Sequence, residues 1–196
     1  MPHLTSDPGI SLDGFIAGRD QSLEDPLGVG GENLHRWMFE EPERHAAERE
    51  AITAASAYIM GRNMFASGRG DWDLDWKGWW GDDPPYHGPV FVLTHYEREP
   101  VEMEGGTTFH FVTDGIEAAM ERAKEAAGDR TVSIAGGAST VQQYLRAGLI
   151  DELRLHIAPV ILGSGERLLE GVGDLKLEQL AVTSSELVTH ITLRVG

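Results

Sequence analysis

The stretch "VSIAGGASTVQQYL", Val132–Leu145, decides how this chain is read. Val132, Ile134 and Ala135 make a short buried-type strand, and Val141, Tyr144 and Leu145 then recur at helical spacing on one face. Ser139 followed by Gln142 fits a capping box, which predicts a helix beginning at Ser139. Gly136 and Gly137 fall at the strand-to-helix turn, and two physical reasons for them stand side by side. The turn can need glycine for its own dihedrals. Alternatively, the missing Cβ atoms let a phosphate reach the first helical amides, which lack intrahelical partners and carry the positive end of the macrodipole.

Outward from that turn the pattern repeats. "AYIMG" (Ala57–Gly61), "VFVLT" (Val90–Thr94) and "TFHFVT" (Thr108–Thr113) read as short apolar strands. Glu43–Ala55 after Pro42 reads as a helix. So does the segment opened by Asp114 and Glu117 and stopped by Gly128, whose Ile116, Ala119, Met120 and Ala123 share a face. "LRLHIAPVIL" (Leu153–Leu162) and the alternating "LVTHITLRV" (Leu187–Val195) follow. Strands alternating with helices indicate an α/β domain with a mainly parallel sheet. Without repeats or a linker, one domain over residues 1–196 is expected.

Composition removes several function classes. The formal net charge of −16 argues against nucleic acid, which needs a basic footprint. No apolar run reaches the roughly 20 residues of a membrane span, and "MPHLTSDPGI" lacks the features of a signal peptide; a cytoplasmic protein with no membrane partner is expected. With no cysteine there are no disulfides, thiolate ligands or thiol nucleophile. The eight histidines are scattered without ligand spacing, so no metal site is expected.

Three strand ends carry informative residues. Gly61-Arg62-Asn63 follows "AYIM", Thr94-His95 follows "VFVL", and Gly136-Gly137-Ala138-Ser139-Thr140 follows "VSIA". Open α/β sheets bind ligands beyond the carboxyl ends of their strands. The set suits a phosphorylated ligand with an adenosine-like tail, although Arg62 alone would read equally as a surface ion pair.

The ordered pieces "SLDGFIAG", "IMGRNMF", "FVLTH", "IAGGASTVQQYL" and "GLIDELRLHIAPVILGSGERLLEG" resemble the dihydrofolate reductase-like superfamily. The likeness is greatest to the reductase domain of bacterial riboflavin biosynthesis and its stand-alone relatives. It implies a three-layer α/β fold: a central, mostly parallel sheet, helices on both faces and an antiparallel C-terminal strand. It also implies NADPH as cofactor. Gly136, Gly137, Ala138, Ser139 and Thr140 would lie under the pyrophosphate. Gly61, Arg62 and Asn63 would lie near the adenosine half, Thr94 and His95 beside the 2′-phosphate, and Ile16 and Ala17 near the nicotinamide. A homodimer built through the C-terminal strands is implied as well.

The chain departs from the family in places. "PHLTSDPGI" is a poor first strand, because Pro8 has no amide donor and Gly9 weakens a strand. Met64 stands where folate-reducing members carry threonine. Glu32, Glu40 and Glu41 offer no clear register for a folate-binding carboxylate.

Asp13 either delivers a proton or hydrogen-bonds its own Asp-Gly turn, the second being the ordinary use of Asp there. Glu166, beside Arg167, faces the substrate pocket or stays on an exposed loop. Trp72, Trp76, Trp79 and Trp80 form a lid over a flat substrate, with Trp80 the contact, or anchor a long loop to the core. The leading expectation is NADPH-dependent hydride transfer to a small heterocyclic substrate of pterin, flavin-precursor or pyrimidine type. The competing one is a non-catalytic nucleotide-binding or sensor protein on the same fold, since fold does not fix function.

Overall fold

The computed structural model describes residues 2–68 and 70–196. The weak first strand is two short pieces, β1 (Leu4–Ser6) and β2 (Gly9–Ser11), broken at Asp7-Pro8. Pro8 cannot donate to a ladder. Gly9 is needed because a Cβ there would lie 2.8 Å from the His35 ring. Next come β3 (Phe15–Gly18), α1 (Arg36–Glu40), α2 (Ala46–Thr53), β4 (Ala57–Gly61) and the one-turn α3 (Arg62–Phe65). They are followed by β5 (Pro89–Leu93), β6 (Val101–Glu102), β7 (Thr108–Val112), α4 (Ile116–Ala127), β8 (Val132–Gly136) and α5 (Ala138–Arg146). The chain closes with β9 (Glu152–Ala158), β10 (Gly165–Arg167), β11 (Leu177–Ser184) and β12 (Thr189–Val195).

The main sheet runs β11-β12-β9-β1-β8-β4-β5-β7-β6, with β2 continuing along β9. Its centre is parallel; β6, β11 and β12 join antiparallel. The antiparallel C-terminal part is therefore a pair of strands. β3 and β10 form a separate two-stranded ribbon.

Period-two alternation sorts the sheet residues between two cores. Ala57, Ile59, Val132 and Ile134 pack with α4 and α5, whose Ala119, Met120, Ala123, Val141, Tyr144 and Leu145 face inward. Tyr58, Met60, Val90 and Val92 face the other way, onto Phe65, Tyr86 and Phe109. A fully buried side chain of this size contributes about 1.5–3 kcal/mol. That second face turns polar toward β9 and β12, where His45, His156 and His190 are buried.

Both predicted helix starts shift. α5 begins at Ala138 with Gly137 as its N-cap, and the cap residue makes no side-chain cap bond, so Ser139 opens no capping box. α4 is preceded by Gly115, while Asp114 instead bonds Arg122 at 3.2 Å. α2 is shorter than its pattern and has no buried residue. β11 has no sequence signature because all eight of its residues are exposed.

Candidate active site

The sheet register brings the three strand ends to one edge. Gly61 pairs with Leu93, and Met60 pairs with Gly136. The turns carrying Arg62-Asn63, Thr94-His95 and Gly136-Gly137 thus follow neighbouring strands, each about 4.8 Å from the next. Thr140 is buried, and its Oγ1 occupies the space where a Gly61 side chain would begin. That contact explains Gly61 and seats the start of α5.

The two glycines of the turn have different reasons. Gly136 has φ 140°, a conformation L side chains rarely adopt, and a Cβ there would touch the Met64 sulfur at 3.0 Å. The peptide between Gly136 and Gly137 is cis. Gly137 has an ordinary φ of −77°, and no atom lies within 4 Å of its absent Cβ. The turn's own geometry accounts for Gly136. For Gly137, the space in front of α5 is what glycine keeps clear.

Other predicted residues do different work. Asp13 accepts hydrogen bonds from the Ser11 hydroxyl at 2.6 Å and from the Leu162 and Gly163 amides at 3.1 and 2.7 Å. The Ser11 bond, helped by those amides, holds its carboxyl down at about 2. Asp13 thus serves as a clamp between loops, its carboxylate taken up by three hydrogen bonds.

Arg62 is engaged as well. Its guanidinium lies 3.9 Å from the Trp72 ring centroid and 5.0 Å from that of Tyr96, and it donates to the carbonyls of Gly70 and Asp71 at 2.6 and 3.3 Å. It fastens a loop where a fork open to phosphate was expected. The Thr94 hydroxyl closes its own turn on the Tyr96 amide at 3.1 Å. Asn63, His95 and Ser139 are exposed.

The tryptophans anchor their segment. The indole N–H groups of Trp72, Trp76 and Trp79 donate to the carbonyls of Tyr96, Phe65 and Met64. Trp80 stacks on Trp79 and on Phe109 of β7. Trp80 thus packs at the β7 end of the main sheet, while Glu166 stands on the separate β3–β10 ribbon. There Glu166 pairs across the ribbon with Ala17, beside Ile16. Arg167 stacks on Phe15 at 4.5 Å and donates to the Asp13 carbonyl at 3.2 Å. The fold thus gathers Ile16 and Ala17, expected near the nicotinamide, with Asp13 and Glu166.

One acid was missed. Asp7 follows β1 at the same carboxyl edge, one strand from the glycine turn, since Ser6 donates to the Ile134 carbonyl at 2.8 Å. Its side chain is 4% exposed, with Arg154 Nη1 at 3.2 Å. Burial pushes its carboxyl up to about 6, outweighing Arg154 and the Thr5 hydroxyl, which pull it down. Arg154 itself is held more firmly protonated, because Asp7 and Glu152 outweigh the burial that pulls it down. The two shifts agree on a real contact, and at Asp7 desolvation wins. A charged residue directly after a first strand, before Pro8, was the available signal. Of the glutamates considered as pocket carboxylates, Glu40 pairs with Arg36 and Glu41 with His45.

The histidines, scattered in sequence, are not scattered in space. His45, His156 and His190 form one buried group against Trp37, a grouping their sequence spacing does not show. No helix among the described residues is long and apolar enough to cross a membrane.

Comparison with known proteins places this geometry. The model of the RibD C-terminal domain family matches residues 2–192. An uncharacterised protein of Bacillus subtilis (strain 168), YyaP, is 26% identical over 172 residues, 83% of this chain and 77% of YyaP. Among solved structures, a Shewanella sp. PV-4 protein named for riboflavin biosynthesis superposes with a TM-score of 0.65 at 24% identity, covering 100% of this chain and 99% of that one. Dihydrofolate reductase from Enterococcus faecalis, solved with NADP(H), superposes with a TM-score of 0.56 at 14% identity, covering 98% and 96%. The fold is dihydrofolate reductase-like.

Proposed function

Because the chain belongs to the RibD C-terminal domain family, we propose that it is a reductase using NADPH on a small heterocycle of pterin, flavin-precursor or pyrimidine kind. The observation that carries this reading is Gly137: an unstrained glycine facing open space directly before a nine-residue helix. Such a place suits a pyrophosphate held by backbone amides. Gly136, Gly137, Ala138 and Ser139 would hold it, with Thr140 locking the helix against Gly61. Ile16 and Ala17 would flank the ring end, and Thr94 and the exposed His95 would lie at the adenosine end. When bound, the reduced nicotinamide supplies the hydride.

The chain's own part is to hold and deliver a proton. Asp7, raised to about 6, keeps a protonated fraction near neutrality, as a general acid requires. Arg154 fixes its position. The Asp13 clamp holds the turn before β3 to the loop that leads into β10.

The test combines a calorimetric NADPH titration with NADPH oxidation against a panel of pterins, flavins and pyrimidines. Binding with turnover is expected. Binding without turnover would favour the sensor reading, and no binding to the folded protein would overturn both.

The proposal includes a homodimer closed through β11. That strand is the outermost of the sheet and exposes Leu177, Leu180 and Val182. A long apolar edge strand needs covering. Sedimentation should give a dimer, and Val182→Lys should shift it toward monomer.

A further inference from the structure

We propose that His45, Glu48 and His190 form a binding site for one borderline divalent cation of the Zn2+ type, with a further coordination position open to an adjoining cavity. One donor atom from each of the three lies within 4.8 Å of the others, the one such group among the described residues. His45 immediately precedes α2, Glu48 stands one turn on along the same face, and His190 comes from β12. His45 Nδ1 and His190 Nε2 are 3.0 Å apart. Two imidazoles on a tetrahedral zinc, with Zn–N of about 2.0–2.1 Å, place their nitrogens about 3.3 Å apart. A shift of a few tenths of an ångström admits the ion.

The surroundings are those of a ligand set. His45 Nε2 faces Glu41 Oε2 at 3.1 Å, so that nitrogen donates to the carboxylate and leaves Nδ1 bare toward His190. A carboxylate behind a histidine in this way orients metal ligands. Glu48 Oε1 accepts the Thr183 hydroxyl at 2.9 Å, which fixes the third donor. A cavity of about 200 Å³ adjoins, bordered by Glu48, His156, His190 and Arg154. His156 is 3% exposed, and its Nε2 has no partner.

Without an ion, neutral imidazoles can still link. His156 Nδ1 would donate to His190 Nδ1 at 2.7 Å, His190 Nε2 to His45 Nδ1, and His45 Nε2 to Glu41. That chain uses neither Glu48 nor the cavity. With the ion present, His190 moves its proton to Nδ1 and donates back to His156 Nδ1. His156 then carries its proton on Nε2, its buried second nitrogen. No net proton is released by the imidazoles.

The test is to strip the protein with chelator and titrate it with Zn2+ by calorimetry and with Co2+ by visible absorption. One equivalent of each is expected, with the intense d–d bands of a four-coordinate cobalt. Glu48→Gln, on the half-exposed rim, should weaken Zn2+ at least tenfold without unfolding the chain. Glu41→Gln should weaken it by about 10–100-fold through the displaced histidine. His190→Asn should abolish binding; if it fails to fold, Glu48→Gln decides. No Zn2+ binding to the folded wild type, or affinity unchanged in Glu48→Gln, would leave only the hydrogen-bonded chain and overturn the proposal.

Discussion

Asp13 accepts the backbone amide of Gly163, 150 residues along the chain, at 2.7 Å. This bond, with those from Leu162 and Ser11, ties the turn after β2 to the loop after β9. The carboxyl is held near 2 against an ordinary 3.8. A depressed carboxyl stabilises the fold above its unfolded value, and that stability is lost as pH falls from about 4 through 2. Asp13→Asn should therefore lower the melting temperature at neutral pH and blunt this acid limb. Urea melts at pH 7, 4 and 3 check it; an unchanged acid limb would mean that the clamp is idle in solution.

Asp7 predicts the opposite slope in a different window. Its folded value of about 6 lies above the ordinary 3.8, so the folded state takes up a proton that the unfolded state does not. Its contribution to stability is present below about 4 and is lost as pH rises through 6. The full shift corresponds to about 3 kcal/mol. The difference between wild type and Asp7→Asn isolates it from Glu40, Glu41 and Glu48, whose carboxyls are held low. The same variant should cut NADPH turnover more than NADPH affinity and remove a pH-rate limb near 6; equal losses would make Asp7 structural.

Gly136 and Gly137 should separate under substitution. Gly137→Val places a side chain in open space at a permitted φ, so the protein should fold while NADPH affinity falls more than tenfold. Gly136→Ala, at φ 140°, should cost on the order of 1–3 kcal/mol of stability. Circular dichroism melts with NADPH calorimetry read both. Unchanged affinity in a folded Gly137→Val would remove the cradle.

Arg62→Ala should loosen the segment around Trp72 instead of changing cofactor choice. Loss of the stacked guanidinium and its carbonyl bonds should lower stability by about 1–3 kcal/mol and raise proteolysis near Gly70. Parallel titrations should show NADPH and NADH weakened alike. A loss confined to NADPH would return Arg62 to the 2′-phosphate.

The alternation of strands and helices, the carboxyl-edge turns and the glycine pair were legible in the sequence. Each is a local pattern: periodicity selects strand or helix, and glycine marks where a Cβ cannot sit. The sequence offered the turn for Asp13 and the loop anchor for Trp80 only as one of two alternatives each, and the partners of Asp13, Arg62 and Trp80 were not legible, because register supplies them. The Asp13 carboxyl is lowered first by the nearby Ser11 hydroxyl and further by amides 149 and 150 residues away. The Asp7 carboxyl is raised because strands remote in sequence closed over it and desolvation outweighed Arg154. β11 was invisible because a strand with every residue exposed has no hydrophobic period. His45, His156 and His190 came together because β12 lies antiparallel to β9, pairing His190 with His156, while His45 meets His190 from the residue before α2. Local sequence chooses each element's conformation; the charge, burial and partners of a side chain belong to whatever the folded chain places beside it.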